Sequence, residues 1–327
     1  MHRNFAPSRL FSFLSFIACL FLPGIIAAQE ATTKEKLDAA VRAQMRNVNY
    51  RFTDNIAVQI NALNGALVPT ANNDSPFFDD KNSFRIRIDS AEIAISPTDL
   101  ANLLNSYVFV GTNSPLARIS ITIVNGQLRI KGRLRDKGDI PFEARGVMSP
   151  TPDGRIRLHS EKIKALHLPV KGLMDAFGIA VNDLIKSGKV PGVQAEENDL
   201  ILDLQQILPP PHIDGKVTAV RITNNSIIQT FGSNGGAPTA KLQNANFMSY
   251  KGNRLRFGKL TMDDADITLY DLDSTDPMDF FLDHYKEQIA AGYSKITASF
   301  QLRIFLKDFN KLPQLKSEPK PKQPKQN

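Results

Sequence analysis

Phe84-Arg85-Ile86-Arg87-Ile88 sets every apolar residue on one side and every arginine on the other, the two-residue period of a strand with one buried face. Ala91-Glu92-Ile93-Ala94-Ile95 continues it. Ser96-Pro97-Thr98-Asp99 then predicts a helix start, with serine as cap, proline at the first helical position and aspartate in the first turn. Leu100, Leu103 and Leu104 form its apolar face. Alternation resumes at Ile119-Ser120-Ile121-Thr122-Ile123 and turns at Asn125-Gly126, two residues suited to the positive φ angles of a type I′ hairpin. It returns over 128–135 with every second residue basic. Strands are expected at 140–148 and 155–167, joined by the turn Thr151-Pro152-Asp153-Gly154.

The period changes over 169–186. Leu173, Met174, Phe177, Val181, Leu184 and Ile185 recur at three- and four-residue spacing, one broad stripe of a principal helix. A strand is expected at 200–204, a break at Pro209-Pro210-Pro211, and extended chain over 216–231. After a Gly/Ser-rich turn at 232–236, strands are expected at 254–262 and 266–271. Asp276-Pro277 opens a predicted helix carrying Phe280, Phe281, Tyr285 and Ile289, and 296–306 reads as the last strand. Upstream, 30–46 is helix-prone and Asn72-Asn73-Asp74-Ser75-Pro76 marks a loop.

The first 28 residues have a different character. Arg3 and Arg9 precede an apolar run over 10–26, and Ala27-Ala28 precede Gln29, the layout of a secretory signal cleaved after Ala28. An uncleaved anchor is the alternative; lipidation at Cys19 fits poorly, because the residues after it stay apolar. The expected location is outside the cytoplasm, in the periplasm or beyond. Cys19 is the only cysteine, so cleavage removes disulfides, thiolate metal sites and cysteine nucleophiles together. The formal charge is +7, but much of it lies in the leader and in the Lys/Pro-rich tail at 313–327, which reads as disordered. A weakly basic body argues against a nucleic-acid partner.

Catalytic motifs are thin. Asp271-Leu272-Asp273-Ser274-Thr275 after an apolar strand resembles the nucleophile loop of haloacid-dehalogenase phosphatases, but too little chain follows for the rest of that fold. A strand running into a polar turn is the expectation. The surrounding aspartates lack the Gly and Glu spacing of an EF-hand, since Asp276 and Leu282 stand at those positions. No histidine belongs to a metal or triad motif, and no cofactor or metal is expected.

Arg85, Arg87, Arg155 and Arg157, with Arg129, Lys131, Arg133 and Arg135, hold polar positions of four strands. They form either a solvated face or one that meets anionic lipid, where each close cation contributes about 1 kcal/mol. The last four are the candidates for contact with an anionic membrane surface.

The order over 90–222 resembles the LmeA-like phospholipid-binding family, related in shape to the tubular lipid-binding (TULIP) superfamily. The resemblance rests on the capped helix Ser96-Pro97-Thr98-Asp99-Leu100, on Gly154-Arg155-Ile156-Arg157-Leu158, on His167-Leu168-Pro169 before the long helix, and on Val190-Pro191-Gly192-Val193 before Leu200-Ile201-Leu202. It implies an α+β fold in which a curved antiparallel sheet wraps a long helix at 171–187, with an apolar groove for acyl chains. Leu173, Phe177, Val181 and Leu184 are the groove candidates, and no catalytic residue is implied. The expected organisation is a signal at 1–28, a helical or loop segment at 29–83, the lipid-binding-like domain at 84–222, a β-rich segment at 223–312 and the tail. The expected function is non-enzymatic binding or transfer of a phospholipid or similar amphiphile at the cell envelope. The alternative is a ligand-free scaffold whose apolar stripe is ordinary core.

Overall fold

The computed structural model describes residues 39–70, 73–135, 138–165, 190–232 and 246–313. In chain order the strands are β1 (Val41–Thr53), β2 (Ile56–Pro69), β3 (Phe84–Ile95), β4 (Leu116–Val124), β5 (Gln127–Leu134), β6 (Ile140–Pro150), β7 (Ile156–Ala165), β8 (Val193–Glu196), β9 (Asp199–Leu202) and β10 (Ile213–Asp214). They continue with β11 (Val217–Ile222), β12 (Ile227–Phe231), β13 (Phe247–Gly252), β14 (Leu255–Phe257), β15 (Leu260–Met262), β16 (Ala265–Asp271), β17 (Met278–Phe281), β18 (Tyr293–Ile296) and β19 (Leu302–Leu306). Among the described residues three short α-helices accompany them: α1 (Pro97–Leu103), α2 (Leu204–Ile207) and α3 (Tyr285–Ala290). The protein is β-rich, with large curved sheets that are mainly antiparallel.

The larger sheet runs β11-β12-β3-β2-β1-β13-β16-β19-β18, with β10 beside β3 and β17 beside β1. The second runs β4-β5-β6-β7-β9-β8, and β14-β15 form a separate hairpin. Strands from 223–312 therefore pair directly with the earliest ones, β12 with β3 and β13 with β1, so the larger sheet spans the expected boundary at 222/223. One continuous core takes residues from both large sheets and α1.

Several local expectations hold. Ser96 caps α1 by accepting a hydrogen bond from the Asp99 N–H at 3.0 Å, and Asp99 in turn accepts one from the Ala57 N–H of β2. Asn125 and Gly126 have φ of 52° and 75°, as a type I′ turn requires. Gly154, at φ 88°, closes the predicted turn onto the Thr151 carbonyl at 2.9 Å.

Four expectations need correction. The stretch from Val41 is strand: Val41, Ala43 and Met45 face inward while Arg42 and Arg46 face out, and β1 is fixed by β2 and β13 on its two sides. Asp276-Pro277 opens no helix, because Met278–Phe281 is strand β17, parallel to β1, and helix begins only at Tyr285. The extended stretches at 216–231 and 296–306 are interrupted, the first folding back as the β11–β12 hairpin and the second holding the turn between β18 and β19. The principal helix at 169–186 lies outside the described residues. Among these, α1 has seven residues and continues through a five-residue π-turn, Leu104–Val108.

Candidate functional site

The seam between the two large sheets is an apolar concave feature of the described residues. One wall comes from Phe52 on β1, Val58 on β2, and Ile93 and Ile95 on β3. Met148 on β6, Ile156 on β7 and Leu202 on β9 form the other, and α1 closes one side with Leu100 and Leu103. Strand alternation places these residues here, because each is the inward member of its pair. Leu204, Ile207 and Leu208 complete the apolar lining, and Gln229 is its one polar side chain. The gap enclosed is about 40 Å³, well short of the roughly 150 Å³ that admits a benzene-sized guest. An acyl chain needs the seam to open. Met148 is the wall residue best able to yield, being unbranched with three rotatable bonds.

The groove candidates Leu173, Phe177, Val181 and Leu184 lie outside the described residues. The basic candidates are on β5 and just after it. Arg129 donates two hydrogen bonds to Glu143, Nε and Nη2 each at 2.8 Å from a carboxylate oxygen. This pairing holds the Glu143 carboxyl below its ordinary range and pushes Arg129 up. Lys131 stands 3.9 Å from the same carboxylate. Arg133 pairs with Asp139 at 2.7 Å, and Arg135, one residue past β5, donates to the Gly111 carbonyl. Arg129 and Arg145 stand directly opposite each other across β5 and β6. The face is basic, but Glu143, Asp139 and Asp199 neutralise much of it.

The aspartate-rich segment folds around a lysine. Asp271 ends β16, and its carboxylate accepts from Asn246 Nδ2 and from the Asp273 N–H, each at 2.9 Å. Asp273 accepts from both the backbone N–H and the hydroxyl of Thr275, so the Asp-x-Asp-x-Thr string is a chain of side-chain-capped turns. Oxygens of Asp271, Asp276 and Asp308 lie within 4.8 Å of one another. Lys311 Nζ reaches Asp273 and Asp276 at 2.8 Å and buried Asp308 at 2.9 Å, so an ammonium stands beside two of those three carboxylates. Burial raises Asp271 to about 6 and raises Asp308 as well, while the three carboxylates push Lys311 up. Asp308 and Lys311 escaped the sequence reading because they lie far downstream of the string and belong to no motif.

Two open clefts flank the core. In one, Asp79 accepts from the Tyr285 hydroxyl and the Lys286 ammonium, and the Tyr285 ring meets the Phe257 ring edge-on. In the other, Arg155 and Gln194 face Asp203 and Gln206 across Pro191-Gly192. Compared with protein-family models, curated proteins and solved structures, the chain matches none.

Proposed function

We propose that this protein is exported and, without catalysis, binds or transfers the apolar part of a phospholipid or similar amphiphile at the cell envelope, meeting an anionic membrane surface. The observation that carries this reading is the seam, where two sheets face each other through almost wholly apolar walls around an unfilled gap. Each methylene transferred from water into such walls contributes about 0.8 kcal/mol.

The TULIP-like arrangement, a curved sheet wrapped around a long helix, is the finer form of this proposal.

The scaffold reading is favoured by one observation, the small size of the gap. Met148→Trp separates the two. In a seam that opens for an acyl chain, the indole occupies the ligand's place, so uptake of a fluorescent fatty acid or phospholipid is lost with little change in stability. In a solid core it overpacks, costing about 1–3 kcal/mol, and the wild type takes up no probe at all. That second pattern contradicts the proposal.

A further inference from the structure

The β18–β19 hairpin, at one end of the larger sheet, carries the two most exposed large apolar side chains among the described residues. Phe300 is 86% exposed and Ile296 72%. Tight hydrogen bonds build the turn between them: the Thr297 N–H donates to the Gln301 carbonyl and the Phe300 N–H to the Thr297 carbonyl, both at 2.9 Å. The Gln301 N–H also donates to the Thr297 hydroxyl at 3.0 Å. Phe300 sits at φ 61°, in the left-handed region that a bulky residue rarely occupies. The turn thus holds a strained phenylalanine out into solvent, where it contributes nothing to the core.

Behind the tip, one face of the sheet is aromatic and cationic. Tyr293 stacks on Phe305 at 4.6 Å between centroids, and Phe305 stacks on Tyr270 at 5.3 Å. Lys295 lies with its ammonium 5.2 Å from the Tyr293 ring centroid, and it stands directly opposite Arg303 in the hairpin register. Like charges directly opposite one another destabilise a strand pair. Among the described residues neither forms an ion pair, and Asp266, on the neighbouring β16, is taken by Lys251 at 2.9 Å and Gln301 at 3.1 Å. An anion brought from outside would relieve the repulsion.

We infer that the β18–β19 hairpin docks onto an anionic lipid surface, inserting Phe300 and Ile296 into the acyl boundary while Lys295 and Arg303, next back from the tip, take the headgroups. Cations at headgroup level and apolar residues beyond them follow the polarity gradient of a bilayer edge. A second copy pairing along β18 is the competing occupant. That edge is only four residues long and carries Lys295, two features that blunt strand pairing. This inference does not rest on the seam taking a ligand.

The chain contains no tryptophan, so Phe300→Trp places a single indole reporter at the tip. With vesicles of phosphatidylcholine containing phosphatidylglycerol, its emission should shift to shorter wavelength and be quenched by brominated acyl chains. In the otherwise wild-type protein, Phe300→Asp should weaken partitioning roughly tenfold. Lys295→Glu with Arg303→Glu should weaken it by at least as much. Each variant should retain the wild-type melting temperature, because all three side chains are solvent-exposed. Emission that vesicles leave unchanged would overturn the inference. So would a shift that appears without lipid and grows with protein concentration as a dimer forms. Lipid docking by a protein that captures no amphiphile would sink the amphiphile-binding reading and leave this inference standing; capture with the Phe300 tip silent would sink this inference and leave amphiphile binding standing.

Discussion

Arg51 and Asp279 face each other through two parallel hydrogen bonds, Nε to Oδ1 at 2.7 Å and Nη2 to Oδ2 at 3.0 Å. The pair joins β1 to β17 across nearly the whole described chain. Asp279 is buried, and it also accepts from Asn49 Nδ2 at 2.7 Å and from the Asn310 N–H at 3.2 Å. Bidentate geometry and a fully bonded carboxylate are the conditions under which a buried ion pair repays its desolvation.

Removing the arginine alone leaves that carboxylate without its counterion. Arg51→Ala should cost about 3–5 kcal/mol in urea denaturation. Adding Asp279→Ala should cost much less than the sum of the two single changes, since the pair acts as a unit. Additive effects would show that β1 and β17 are held by their backbone pairing instead.

Asp271 carries a pH dependence. Burial raises it from the ordinary carboxylate value to about 6, so the folded state binds this proton more tightly than the unfolded state does. Its contribution to stability is complete below about pH 4 and is lost as the pH rises through about 6. Asp271→Asn abolishes that loss. The variant should gain on the wild type by on the order of 1–3 kcal/mol between about pH 4 and pH 7. A stability difference that does not change with pH would contradict the assignment.

The basic face of β5 gives a third test. Glu143 neutralises Arg129 and lies beside Lys131. Glu143→Gln therefore frees both cations, and binding to anionic vesicles should strengthen at low salt and lose the gain as screening sets in. Co-sedimentation at two ionic strengths measures it. If binding is unaltered at low salt, this face has no part in membrane contact.

The sequence was most legible where structure is local. The Ser96 cap, the Asn125-Gly126 turn and the alternation of β3 each depend on neighbours within a few residues, and all three stand as read. It was least legible where distant pairing overrides local preference. Ala43, Gln44, Met45 and Arg46 favour helix, yet β2 and β13 flank them and make them strand. Phe280 and Phe281 fitted a helix face; consecutive burial of both follows from β17 lying against β1 inside the fold. The seam was legible only as separate apolar residues, since Phe52 and Leu202 meet through topology alone. Hairpin exposure was invisible for a similar reason: Ile296 and Phe300 look like core residues until the turn carries them past the sheet.

A seam that receives an apolar chain should carry one through purification. Mass spectrometry of organic extracts from the purified full-length protein, with Met148→Trp prepared in parallel, tests it most directly. A phospholipid or related amphiphile is expected in near-stoichiometric amount with the wild type, and its loss from the variant. Extracts free of amphiphile, or the same amphiphile at the same amount from both proteins, would contradict it.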